Sequence, residues 1–198
     1  MVFFIFNWWK IVNELLKDID ILIVIDIEAT CWQGNPPPGQ EMEIIEIGIC
    51  PFDLKTRKRL SKRSILIKPE KSKVSDYCNQ LTSLTQGQIN TGISLKEACV
   101  ILEKEYLTKK RTWASWGEYD RKQFMKECEA KNVPYPFSKK HINIKQLFAT
   151  ERGLAREVEL EEALQSIGLK FEGTYHRAID DAFNIALVFS NLLSEKRA

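Results

Sequence analysis

An α/β domain, with a mixed five-stranded sheet flanked by helices, is the fold class this sequence predicts. Three observations carry that expectation. Ile21 to Ile25 is a continuous apolar run, which reads as a strand buried on both faces of a sheet. Two more strand patterns follow with no helical period between them, which suggests an antiparallel meander rather than a βαβ start. From Ser94 onward helical patterns alternate with short strand patterns, so helices cover a mixed sheet.

The first strand lies within Asp20 to Trp32, D-I-L-I-V-I-D-I-E-A-T-C-W. Gln33 to Gln40, Q-G-N-P-P-P-G-Q, is a loop by composition. Glu41 to Phe52 is the second strand, with Ile45, Ile47 and Ile49 in partial alternation. Asp53 to Lys58 makes a hairpin into a third strand, Arg59 to Ile67, where Ile65 and Ile67 face one way. Ser75 to Asn90 is irregular or holds a short helix. Ser94 with Glu97 forms a capping box that opens a helix to about Leu107.

Arg111 to Trp116 is the fourth strand, and Gly117 ends it. Tyr119 to Lys131 carries Phe124, Met125 and Cys128 at helical spacing, and Pro134 and Pro136 follow. His141 to Ile144 is a short fifth strand before a helix over Gln146 to Glu151. Glu159 to Ile167 is helical and stops at Gly168, a C′ glycine. Arg177 to Ser194 is the last helix, with Ala178, Ala182, Ile185, Phe189 and Leu192 as its apolar stripe.

The chain has 198 residues, enough for one domain with a real core, assigned to residues 21–198. Residues 1–20 form an appendage. Val2 to Trp9 is strongly apolar but too short to span a membrane, and it lacks a basic lead and a small-residue cleavage site. Lys10 to Asp20 reads as a short amphipathic helix with Ile11, Leu15 and Ile19 on one face. The appendage either packs on the domain or a partner protein, or is a poorly ordered leader.

The net charge of +2 announces no nucleic acid by itself. The five cysteines, Cys31, Cys50, Cys78, Cys99 and Cys128, include no C-x-x-C pair. Having only two histidines, His141 and His176, argues against a finger-type zinc site, and scattered thiols fit a reducing cytoplasm.

The chemistry begins at Asp26 and Glu28. Two apart on a strand, they point to one face, where paired acids repel each other and are costly to desolvate. A divalent cation removes both costs; solvated acids at a strand end, or acids paired with Arg or Lys, are the plainer alternative. Glu118 and Asp120 follow the fourth strand in S-W-G-E-Y-D, and either fits the first turn of a helix for its dipole alone. On the last helix Asp181 falls on the apolar face and is expected to point inward. Asp180 falls with Asn184 and Asn191 on the polar side, outward. An inward acid needs a partner, and a metal is a natural one. His176 lies five residues earlier and can hang over the same site. Such a set suits two divalent ions on a phosphodiester with histidine as general base.

D-I-E-A-T at Asp26, S-W-G-E-Y-D ending at Asp120, and H-R-A-I-D-D with His176 and Asp181 resemble the three motifs of the DEDDh 3′-to-5′ exonucleases, of RNase H-like fold. E-A-T-C-W and S-W-G-E-Y-D are most similar to the branch that acts on histone mRNA and small RNAs, with its bacterial sporulation-kinase-inhibitor-like relatives. The resemblance covers about Ile21 to Leu193. It implies that Asp26, Glu28 and Asp181 hold Mg2+ or Mn2+ directly. Asp120 would complete a second-ion site, and His176 would be the general base. It further implies that Ala29, Thr30, Trp32 and the segment Leu81 to Thr85, Leu84 included, receive the 3′-terminal nucleotide of a single strand, RNA being favoured. The family's loop usually resembles L-T-G-I-T; here Ser83 and Leu84 replace its Gly and Ile. Trp116 either stacks on a base or belongs to the core. Rival readings are DNA proofreading, oligoribonuclease activity, or a kinase-inhibiting binding protein on the same fold. Lys55, Arg57, Lys58, Arg59, Lys62 and Arg63 form either a solvated hairpin tip or a phosphate-tracking patch, as do Lys109 to Arg111.

Overall fold

The computed structural model describes Lys10 and residues 12–195. A central sheet is built from β1 (Ile21–Ala29), β2 (Ile44–Asp53), β3 (Lys58–Arg59), β4 (Arg63–Leu66), β5 (Trp113–Ser115) and β6 (His141–Asn143). The spatial order is β3-β2-β1-β5-β6, with β4 also on the outer edge of β2. β1–β2, β2–β3 and β2–β4 are antiparallel, while β1–β5 and β5–β6 are parallel. The sheet is mixed, as expected, but among the described residues it has six strands where the sequence suggested five. Arg59 to Ile67 is not continuous: it leaves β2 after Arg59 and rejoins it at Arg63.

The helices are α1 (Asp76–Thr82), α2 (Gln86–Asn90), α3 (Leu95–Tyr106), α4 (Tyr119–Ala130), α5 (Ile144–Glu151), α6 (Leu160–Ser166) and α7 (Ala178–Glu195). Ser94 and Glu97 make the reciprocal capping box, and Leu107 ends α3 in the left-handed region. The stretch Ser75 to Asn90 holds two short helices, capped by Ser75 and Thr85.

Alternation along β1 divides the core. Leu22 and Val24 face α5, α6 and α7, among Leu147, Phe148, Leu164, Ala182, Ile185 and Phe189. Ile23, Ile25 and Ile27 face α3 and α4, among Leu95, Leu102 and Phe124. The acids Asp26 and Glu28 therefore continue the row of Leu22 and Val24, on the face covered by α7. β2 pairs with β1 in the register Asp26 to Gly48 and Glu28 to Glu46, with an irregularity after Glu28. Such bulges gather beside active sites. Gly48 is needed for close approach, because a Cβ there would overlap the backbone carbonyl of Ala178 at the start of α7.

Lys10 and residues 12–16 are helical, ending short of the expected Asp20, and Asp18 turns the chain with φ 62°. Val12 is buried with Leu15 and Leu16 against it, and Ile19 is half-buried. This segment packs on the domain itself, and the Thr112 hydroxyl donates to the Leu15 carbonyl (2.6 Å). The expectation for Val2 to Trp9 and for Ile11 lies outside the described residues.

Candidate active site

Three elements bring the acids together. β1 supplies Asp26 and Glu28, α7 supplies Asp181 in its first turn, and α4 supplies Asp120 in its first turn. One oxygen each of Asp26, Glu28 and Asp181 lies within 4.8 Å of the others. Asp120 is 3% exposed, and its Oδ1 accepts from the Ile27 amide (3.0 Å). That bond ties α4 to β1, and Asp120 also lines the cleft. His176 precedes α7, and its Nδ1 is 4.0 Å from Glu28 Oε1.

Burial and mutual repulsion dominate the electrostatics. Burial first, then the charges of Asp120 and Asp181, raises Asp26 well above the carboxylate range. Burial followed by Asp181 and Glu46 pushes Glu28 up to about 9. Asp181 rises to about 8 and Asp120 to about 7, again chiefly through burial. Asp181 Oδ2 is buried with no hydrogen-bond partner. Hard carboxylate oxygens, crowded together and with one left orphaned, suit a divalent cation. His176 is depressed below its ordinary value by burial, against an opposing pull from Glu159. The imidazole is therefore neutral near pH 7 and able to accept a proton.

A cleft of 270 Å³ opens on this cluster, lined by Asp26, Glu28, Asp120, His176 and Asp181. Trp116 also lines it, with its indole N–H donating to the Val158 carbonyl (3.2 Å) and its ring beside Phe148. Thr30 and Leu84 do not reach it. Thr30 is fully buried, and its hydroxyl is used between the Glu41 carbonyl and the Glu43 amide (3.0 Å each). Leu84 is fully buried with Ile45, Cys78 and Ile89. Their side chains hold the β1–β2 connection and the α1–α2 turn. Ala29 is buried as well, and half-buried Trp32 lies away from the cleft lining. Ser83 caps α1 with φ 61°, the left-handed conformation that explains why glycine suits this position.

Two other expectations change. Asp180 is buried, not outward, because α7 lies against the sheet on one side and the 172–174 loop on the other. It accepts from the Thr174 amide (2.9 Å) and pairs with Lys62, while buried Asn184 bonds the Glu172 backbone on both sides. The hairpin basic residues are in large part neither a solvated tip nor a free phosphate track. Arg57 donates to the Leu193 carbonyl (2.6 Å), Arg59 pairs with Glu172 over the Phe183 ring, and Arg63 pairs with Glu105. They clamp α7 and α3. Tyr119, Lys145, Glu159, Leu160 and Tyr175 also line the cleft. Tyr119 lies in a legible motif and Tyr175 immediately before one; the Lys145–Glu159 pair (2.7 Å) joins two segments with no shared pattern.

A buried carboxylate cluster with a neutral histidine, at the end of the central strand of an RNase H-like sheet, defines a hydrolytic phosphodiester site as the class. Residues 23–189 match the family described as Exonuclease. The chain is 30% identical over 206 residues to human 3′-5′ exoribonuclease 1, across 96% of this chain and 59% of that protein. It is 26% identical over 179 residues to the probable 3′-5′ exonuclease KapD of Bacillus subtilis, across 89% of this chain and 86% of that one. The crystallographic nuclease domain of 3′hExo, a DEDDh family member bound to rAMP, superposes with a TM-score of 0.80 at 28% identity, over 90% of this chain and 94% of that domain. The chain belongs to the exonuclease family, and its fold is that of the DEDDh members. It spans about three fifths of the human relative's length.

Proposed function

We propose that this protein is a divalent-cation-dependent 3′-to-5′ exonuclease acting on single-stranded ends, RNA preferred over DNA. The observation that carries this is the three-carboxylate cluster with its orphaned Asp181 oxygen. Asp26, Glu28 and Asp181 would hold Mg2+ or Mn2+, with Asp120 completing a site for a second ion. Such cations supply charge neutralisation at the scissile phosphate and a more acidic attacking water. His176, neutral and 39% exposed, takes the proton of that water on its imidazole. Trp116, Tyr119 and Tyr175 bound the space open to the terminal nucleotide. The RNA preference rests on the relatives named exoribonucleases and on the rAMP-bound structure.

No helix among the described residues is long and apolar enough to cross a membrane. The five free thiols support a reducing compartment such as the cytoplasm. A partner at the N-terminal segment would have to engage residues beyond 12–16, whose apolar face is already covered.

Labelled single-stranded RNA and DNA of one sequence, incubated with Mg2+ or Mn2+, test the reading. Stepwise shortening from the 3′ end is expected, faster on RNA, lost in Asp26→Ala and slowed by about 10²- to 10⁴-fold in His176→Ala. No shortening by the wild type would overturn the activity, and faster cleavage of DNA would overturn the RNA preference.

A further inference from the structure

His176 has φ 60°, a left-handed conformation that a non-glycine residue keeps only where its surroundings impose it. Two buried carboxylates bracket it. Upstream, Asp180 accepts from the Thr174 amide (2.9 Å) and pairs with Lys62. Gly173, with φ 103°, lies so close that a Cβ there would overlap the Asp180 carboxyl. Downstream, Glu46 on β2 is fully buried. Its Oε2 accepts from the Ala178 amide (3.0 Å) and the Arg177 Nε (3.1 Å). Its Oε1 accepts from Arg177 Nη2 (3.1 Å) and the Ser64 hydroxyl (2.6 Å).

Glu46 faces Glu28 across the β1–β2 ladder, so it adds a fifth acid beside the four of the site and raises Glu28 further. A carboxylate there works against holding the site together unless something else requires it. Its bonds say what that is: an unpaired amide at the start of α7, and the guanidinium of the residue next to His176.

We propose that Glu46 is a positioning residue for catalysis, which fixes the left-handed turn at His176 and so aims the imidazole. Asp180 anchors the other end of the same turn. This rests on the exonuclease reading. Glu46 touches no reacting atom; it acts through His176.

The test uses full-length protein on labelled single-stranded RNA with Mn2+. Glu46→Ala is expected to lower kcat by about tenfold or more with KM changed less than about threefold, since the loss is one of orientation rather than uniform binding. Glu46→Gln keeps an oxygen acceptor for the Ala178 amide and is expected to restore most of kcat. Arg177→Ala, which leaves that bond in place, is expected to lower kcat by about threefold; it carries the test if Glu46→Ala does not fold. In a His176→Ala background, Glu46→Ala is expected to add less than about a twofold further loss. Mn2+ affinity measured by calorimetry stays within about threefold of wild type, because Glu46 is not a ligand.

Multiplicative losses in the double variant, or Mn2+ affinity falling in step with kcat, would overturn the assignment and make Glu46 a support of the whole site. An active wild type with unchanged kcat in Glu46→Ala and Arg177→Ala would overturn it alone. An inactive wild type would overturn the exonuclease reading with it.

Discussion

Asp181→Asn should make the metal-free protein more stable while abolishing its proposed activity. The wild-type carboxyl is 5% exposed, has an orphaned oxygen, and lies within 4.8 Å of Asp26 and Glu28 oxygens. Burial, before any neighbouring charge, raises it from the ordinary 3.8 to about 8. A raised acid leaves stability intact below its unfolded value and removes it as pH climbs toward the folded one. At pH 7 that difference corresponds to about 4 kcal/mol, and sharing of the repulsion with Asp26 and Glu28 reduces the separable part to about 2–4 kcal/mol. Asparagine has nearly the same shape and no charge, and its amide can donate to those neighbours.

Thermal unfolding in EDTA is the assay. Each kcal/mol moves the midpoint of a domain this size by about 2–4 °C, so Asp181→Asn should melt about 4–16 °C above wild type at pH 7. The advantage should shrink steadily toward pH 4, where the wild-type carboxyl is protonated. Saturating Mn2+ should raise the wild type and leave the variant nearly unmoved. An Asp181→Asn melt at or below wild type at pH 7 in EDTA, or an advantage that is the same at pH 4 and pH 7, would refute the reasoning.

His176→Ala should lower kcat by about 10²- to 10⁴-fold while Mn2+ binding by calorimetry is nearly unchanged, as befits a base rather than a ligand. Gly48→Ala should destabilise by about 3 kcal/mol or more in chemical denaturation, since its Cβ would push the Ala178 carbonyl and the start of α7 off the sheet. Lys131→Met should cost about 3–5 kcal/mol, because it removes the cation paired with both buried acids, Glu43 at 2.9 Å and Glu127 at 3.0 Å, and leaves their charges balanced by neutral donors. Burial alone would raise Glu43, but Lys131 and the amides of residues 70–72 hold it at about 2. Its stabilisation is present above the ordinary 4.5 and fades as pH falls toward 2, so acid unfolding of Lys131→Met, followed by circular dichroism, should begin at higher pH.

Much of the site was legible because its signals are local. Asp26 and Glu28 interrupt an apolar strand two residues apart, and Asp181 interrupts an apolar helical stripe. Both are polar groups at positions that period alone assigns to the interior, and the structure brings them together. The capping box at Ser94 and the stop at Gly168 are equally local. The third strand was less clear, since its departure from β2 between Arg59 and Arg63 leaves Ile65 and Ile67 on the same side as an unbroken strand would.

What the sequence alone determined, then, was the mixed sheet, the order of its elements and the acids that point into it. Only the tertiary structure decided which polar residues serve the cleft and which serve the frame. Asp180 and Asp181 are adjacent in sequence and both buried, yet one ties down the 172–174 loop and the other is left with an unsatisfied oxygen. Thr30 and Leu84 are occupied by the next strand and by neighbouring helices, and Arg57 and Arg59 by α7 more than a hundred residues on, so their side chains serve the frame. Periodicity says that a side chain turns inward. Which group waits there depends on long-range register, such as Glu28 opposite Glu46, and no local pattern encodes that partner.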